Sequence, residues 1–230
     1  MKKHILLLLF LLCYTCAQSQ SSDASTKGAA ARARMLNAFG GEQLIREATH
    51  FSYTLTRSTP GGTSSSATYV LDLQNRFITT TTQTPAGTEM KSIDASGAWQ
   101  SINGQRKPLP EQGQEVLLRT FFFNFIPMLQ NKQLQFVYLR SDKYKTRWVD
   151  VVRVSDPHSK TLVLDLFIDQ ENGQVLTSSR EDENGQYLYF ADELEYEPVG
   201  GGYTFPLVFQ IVKDGKVTSE GRFEEVWMGK

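Results

Sequence analysis

From residue 50 onward, turn signals cut the chain into short stretches whose side chains alternate with a period of two, and that punctuation restricts the fold more than any other feature. Asn172-Gly173, Asn184-Gly185 and Asp214-Gly215 are pairs that favour type I′ hairpins, because both central positions need a positive φ. Gln74-Asn75, Pro85-Ala86-Gly87, Ser96-Gly97 and Asn103-Gly104 supply further loops or tight turns. The stretches between them are rich in Thr, Tyr, Val, Ile and Phe, as strands are. Before residue 103 the spacing predicts His50–Arg57, Ala67–Leu73, Arg76–Gln83, Glu89–Asp94 and Ala98–Ile102. After residue 132 it predicts Gln133–Leu139, Arg147–Val154, Thr161–Asp169, Gln174–Arg180, Gln186–Glu195, Tyr203–Lys213 and Lys216–Trp227. Connections this short make neighbours antiparallel. An open sheet of about twelve strands twists so strongly that it must curl, split or close.

Helical patterns occur in two places. Lys27–Phe39 is built from Ala, Arg, Met and Leu and stops at Gly40-Gly41, and Glu42–Ala48 sets Leu44, Ile45 and Ala48 on one side. In mid-chain, Lys107-Pro108-Leu109-Pro110 reads as a stiff turn and Glu111–Thr120 as a helix. The most aromatic stretch follows, where Phe121, Phe122, Phe123 and Phe125 precede Ile126, Met128 and Leu129. Pro127 argues against an unbroken helix through it. Helices in these positions are natural covers for the concave face of a curled sheet, with an apolar space beneath them. The aromatic stretch then has two readings, ordinary core or the wall of an apolar-ligand pocket to which Trp99 and Trp148 also belong. The fold class expected is α+β, mainly antiparallel β, as a strongly curved incomplete barrel.

The first residues carry Lys2 and Lys3, an apolar run from Ile5 to Leu12, and small residues ending at Ala17. This is the pattern of a signal peptide over residues 1–17, too short to span a bilayer as a helix. Gln18–Thr26 reads as a flexible tether and residues 27–230 as one domain. An alternative has Cys16 lipidated, although Tyr14 fits a lipoprotein signal poorly. Both cysteines lie in the expected leader, so the exported chain has no disulfide and no thiol chemistry. Removing Lys2 and Lys3 from 24 basic residues leaves 22 against 25 acidic ones, a formal charge of about −3. That balance argues against nucleic acid or an anionic membrane surface as the partner.

Signals for catalysis are sparse. His50 starts a strand and His158 sits in a turn beside Asp156-Pro157, and neither belongs to a triad or metal motif. There is no nucleophile elbow, phosphate-binding loop, His-Glu-x-x-His or EF-hand loop. The acidic clusters Glu181-Asp182-Glu183 and Asp192-Glu193-x-Glu195-x-Glu197 can serve a hydrolase or collect Ca²⁺, but a turn and an alternating strand favour solvated faces.

The order of elements resembles the LolA/LolB-like periplasmic lipoprotein-carrier superfamily. The shared features are an N-terminal helix ending in Leu36-Asn37-Ala38-Phe39-Gly40-Gly41, a long meander and a helical insert. Ile168-Asp169-Gln170-Glu171-Asn172-Gly173-Gln174-Val175-Leu176 is similar to a hairpin of that group, and Gly201-Gly202-Tyr203-Thr204-Phe205-Pro206-Leu207 to the start of one of its strands. The resemblance implies an incomplete barrel of about eleven strands around a helix-covered hydrophobic cavity. It implies a periplasmic protein that shields lipid or the acyl chains of lipoproteins, with no enzymatic activity and no cofactor. Membrane contact is then transient unless Cys16 is lipidated. An envelope interaction or sensor module is the second reading, with envelope proteins as partners and a packed interior.

Overall fold

The computed structural model describes residues 23–158, 162–181 and 187–230, with side chains throughout except at 181 and 187–194. The expected leader, both cysteines and the Asn184-Gly185 turn lie outside the described residues.

Helix α1 spans residues 23–38, so Asp23 to Thr26 belong to it rather than to a tether. Asp23 pairs with Lys27 one turn on, at 2.8 Å. A short helix, α2 (Glu42–Glu47), precedes the first half of the sheet: β1 (His50–Ser58), β2 (Ser64–Asp72), β3 (Phe77–Thr84), β4 (Gly87–Asp94), β5 (Gly97–Ile102) and β6 (Gln105–Pro108). The insert contributes α3 (Glu111–Phe122) and α4 (Phe125–Gln130). The second half is β7 (Gln135–Tyr144), β8 (Arg147–Ser155), β9 (Val163–Asp169), β10 (Val175–Glu181), β11 (Tyr187–Val199), β12 (Tyr203–Lys213) and β13 (Lys216–Gly229).

All thirteen strands form one antiparallel sheet in the order β6-β5-β4-β3-β2-β1-β13-β12-β11-β10-β9-β8-β7. Every neighbour is a chain neighbour except β1 and β13, where the first strand pairs with the last, from His50 opposite Gly229 to Ser58 opposite Glu220. The sheet is a curved, incomplete barrel covered by helices, and β6 and β7 are its edges.

One strand escaped the sequence pattern. Residues 105–108 form β6, pairing Trp99 with Pro108 and Ile102 with Gln105, where a stiff turn is expected. Proline is excluded from central strands because it cannot donate to the ladder, but an edge strand tolerates it. Asn103-Gly104 closes this hairpin with both φ positive, at 50° and 83°, and Asp214-Gly215 does the same between β12 and β13 at 52° and 72°. Asn172-Gly173 departs from the expected I′ turn. Only Gly173 has positive φ, and the Asp169 carboxylate accepts the amides of Glu171 and Asn172 at 2.7 and 3.1 Å. The side chain thus replaces a tight turn with a four-residue loop.

Burial follows the pleat. Phe51, Tyr53 and Leu55 of β1 face the concave side together, as do Leu164, Leu166 and Ile168 of β9. On β8 and β9 the convex side is also covered, by a small cluster of Val149, Val151 and Phe167, and there Arg153 grips Asp165 with two bonds of 2.7 and 2.8 Å. Ala31 and Met35 of α1 and Phe39 just past its end recur every four residues and are fully buried against the concave core.

Two glycines set how closely α1 approaches. A Cβ at Gly28 would stand 2.0 Å from the carbonyl oxygen of Phe136, and one at Gly173 would stand 2.3 Å from that of Arg34. Both obstacles are backbone and cannot rotate aside. Arg34 adds a salt bridge to Asp150 of β8, and Arg32 donates to the carbonyl of Leu129. Gly28→Val should therefore lower stability by about 1–3 kcal/mol through overpacking. The urea midpoint checks this, and an unchanged midpoint would refute the close-contact account of α1.

Candidate functional site

The insert leaves one edge of the sheet at β6 and rejoins it at the other edge, β7. It therefore crosses the concave opening. Its helix breaks at Phe123-Asn124, as the sequence leads one to expect from Pro127. Asn124 caps α4, its Oδ1 accepting the amide of Ile126 at 3.4 Å, and Pro127 occupies the first turn, where no backbone donor is missed. The Asn124 side-chain amide also donates to the hydroxyl of Tyr53 at 3.3 Å, linking the break to the sheet below. Burial drives the Tyr53 hydroxyl's pKa up, so it stays protonated as a hydrogen-bonding group.

Beneath the break lies a cavity of about 360 Å³. Its floor is aromatic: Tyr53 stacks on Tyr69 at 4.9 Å, and Phe223 meets Tyr53, Phe205 and Phe209 at 5.1 to 5.3 Å. Gly221 makes this floor possible. A Cβ there would fall 2.3 Å from the ring of Phe209, which lies over the bare backbone of its cross-strand partner. The roof is Thr120, Phe123, Asn124 and Phe125.

The crossing segment also has a second side. A larger cleft of about 910 Å³ lies between α2, the insert and the sheet end. Phe121, Phe122, Met128 and Leu129 face it. Charges of both signs surround it, including Arg46, Arg76, Asp156 and the Lys230–Glu47 pair at 2.6 Å. Gln130 fastens α4 there by donating to the carbonyls of Ile45 and Ala48 at 2.6 and 2.7 Å. A water-filled groove suits so many charged groups better than an apolar ligand does, so the smaller, aromatic cavity is the candidate site.

The candidates from sequence thus part company. Phe123 and Phe125 line the cavity, Phe121, Phe122, Met128 and Leu129 line the cleft, and Ile126 is fully buried as packing between elements. Trp99 and Trp148 line neither. Trp148 is 60% exposed near the outer end of β8, and Trp99 near the far edge is engaged locally. The Trp99 indole donates to Asp94 at 2.6 Å beneath the Arg106 guanidinium. Sequence reasoning missed the floor, Tyr53, Tyr69, Phe205, Phe209 and Phe223, which comes from strands far apart in the chain. Only their shared alternation parity could have signalled it.

His50 and His158 are both exposed and form no triad among the described residues, the His50 ring meeting the Thr49 hydroxyl at 2.9 Å. Glu195 and Glu197 are exposed, while the side chains of 181–183, 192 and 193 lie outside the described residues. Among the described residues no cluster of three or more His, Cys, Asp or Glu side chains is placed to hold a metal ion, and no helix is long and apolar enough to cross a membrane.

No protein-family model and no curated protein matches the chain. Solved structures do. A LolA superfamily protein from Nitrosomonas europaea superposes with a TM-score of 0.55 at 11% identity, covering 80% of this chain and 87% of that one. A DUF1329 family protein from Desulfovibrio piger superposes with a TM-score of 0.57 at 7% identity, covering 89% and 93%. The fold of this chain is thus LolA-like.

Two outcomes follow from the geometry. Gly221→Val should push the Phe209 ring off the floor, costing about 1–3 kcal/mol and altering the near-ultraviolet circular dichroism; unchanged spectrum and stability would refute the packing. The Ser96 hydroxyl first, and the Trp99 indole next, hold the Asp94 carboxyl down from 3.8 to about 2. Its contribution is therefore fully present above about pH 4 and lost as pH falls through about 2. The difference in urea midpoint between the wild type and Asp94→Asn should be constant from pH 7 to about 5 and vanish toward pH 2.

Proposed function

We propose that this chain is a periplasmic carrier or binding protein that shields an apolar ligand, lipid or the acyl chains of lipoproteins, in the cavity beneath the insert. The supporting observation is the aromatic floor: five rings from β1, β2, β12 and β13 line the hollow under the insert. An acyl chain placed there gains about 0.8 kcal/mol per buried CH₂ group, and an unreactive aromatic surface accepts chains without demanding one sequence of contacts. The LolA-like fold is consistent with this use, and the leader read from residues 1–17 agrees with a periplasmic location. Release requires the insert to move, and the break at Phe123-Asn124 is where it bends.

A second reading, an envelope interaction or sensor module, draws on Val116 and Leu118, which α3 exposes at 56% and 50%. The two readings separate by experiment. Purified mature protein should carry lipid detectable by mass spectrometry and should displace or take up an apolar fluorescent dye. Phe123→Asp should weaken dye binding at least about tenfold by placing a charge on the roof, whereas exposed Trp148→Ser should leave it unchanged. Absence of lipid and of dye binding in the wild type would sink the carrier reading; partner capture abolished by Val116→Ser with dye binding intact would favour the module.

A further inference from the structure

We infer that the cavity selects a single-chain amphiphile with an anionic head, a conclusion that rests on the carrier reading above. The basis is the order of polarity along the cavity. On β1, residues 53, 55 and 57 share the concave face, so the wall runs from Tyr53 through Leu55 to Arg57, which reaches the exposed end of the strand. On β10, Ser178 and Arg180 repeat the progression, and α3 contributes Arg119 from the roof. Three guanidinium groups therefore line the same cavity whose inner part is Phe125, Phe205 and the capping Asn124. Among the described lining residues there is no carboxylate.

Arg119 lines the site from α3 while its terminal NH₂ pairs with Glu115 at 2.8 Å. A carboxylate or phosphate head at this end of the cavity needs cationic donors around it. Guanidinium groups suit that role because they present fixed, planar donors to an oxyanion. With the head at the arginines, the tail points down the strands toward the aromatic floor. The volume of about 360 Å³ is at the small end of ligand cavities, which run to about 1,000 Å³. It matches one slender chain better than a bundle of several.

A free fatty-acid carboxylate and a lysophospholipid phosphate share this chemistry. The test is displacement of an apolar dye from the mature protein by dodecanoate, dodecanol, dodecyltrimethylammonium and dodecanoyl lysophosphatidylglycerol, which hold the chain constant and vary the head. At least one of the two anions should compete at about tenfold lower concentration than the alcohol, and the cation should be the weakest; which anion leads identifies the source. The preference should shrink to within about twofold in Arg57→Gln/Arg119→Gln and fall with added salt, since Arg57 is exposed. The single variant Arg57→Gln, at an exposed position, should retain part of the preference and guards against misfolding of the double one. Equal competition by all four heads would overturn the anion inference and leave the carrier standing. Failure of the wild-type protein to bind the dye or any amphiphile would overturn both.

Discussion

A chain segment that must travel from one edge of a sheet to the other has to cross one of its faces, and the architecture depends on that crossing. The strands before the insert spread outward from β1 to the edge at β6, and those after it return from the edge at β7 to β13. The connection between edges cannot follow the sheet, so it bridges the concave opening as α3 and α4. Being apolar on two sides, with Phe123 and Phe125 toward the sheet and Phe121 and Phe122 toward the outer cleft, it divides what would be one large hollow into two unequal ones. Asn124 fixes where it turns, through the Ile126 amide and the Tyr53 hydroxyl. A segment held at its break by one buried polar residue and at its end by Gln130 can be firm in place and still have a defined point of bending.

The division also explains why an aromatic run divided its duties. Six of the seven candidate positions in Phe121–Leu129 follow helical geometry around two short axes, so consecutive side chains point to different surroundings. A strand would have sent alternate residues to the same cavity. The useful wall is therefore composed of only two phenylalanines from the run, and the greater part of the apolar surface comes from the sheet. The arginines at its outer end complete a gradient of polarity that neither the insert nor any one strand contains.

Much of this was legible before any coordinates. Twelve strand positions, the helical opening and the break near Pro127 could be read because they depend on local rules: alternation, positive-φ pairs, and the missing amide of proline. Failures occurred where a non-local contact decided the outcome. β6 includes Pro108 and looks like a turn until its edge position is known, and Asn172-Gly173 looks like a two-residue turn until Asp169 is seen capping the loop. Trp99 and Trp148 have the composition of a ligand wall, but an indole's usefulness depends on which way it faces and what already holds it. The floor was the least legible part, because Tyr53 and Phe223 meet only through the pairing of the first strand with the last.

That pairing has a kinetic meaning. Eleven of the twelve neighbouring pairs can zip up by closing hairpins as they emerge, but β1 and β13 must find each other across nearly the whole length of the chain, which is the slow kind of contact. Until they do, Tyr53 and Tyr69 stand on one half-sheet and Phe205, Phe209 and Phe223 on the other, all with their rings open to water. An immature chain would thus display the sticky surface of its binding site before owning the enclosure that hides it, and each half would offer a bare strand edge to any passing partner. Protection of newly arrived chains against one another is therefore a demand this topology makes on its compartment.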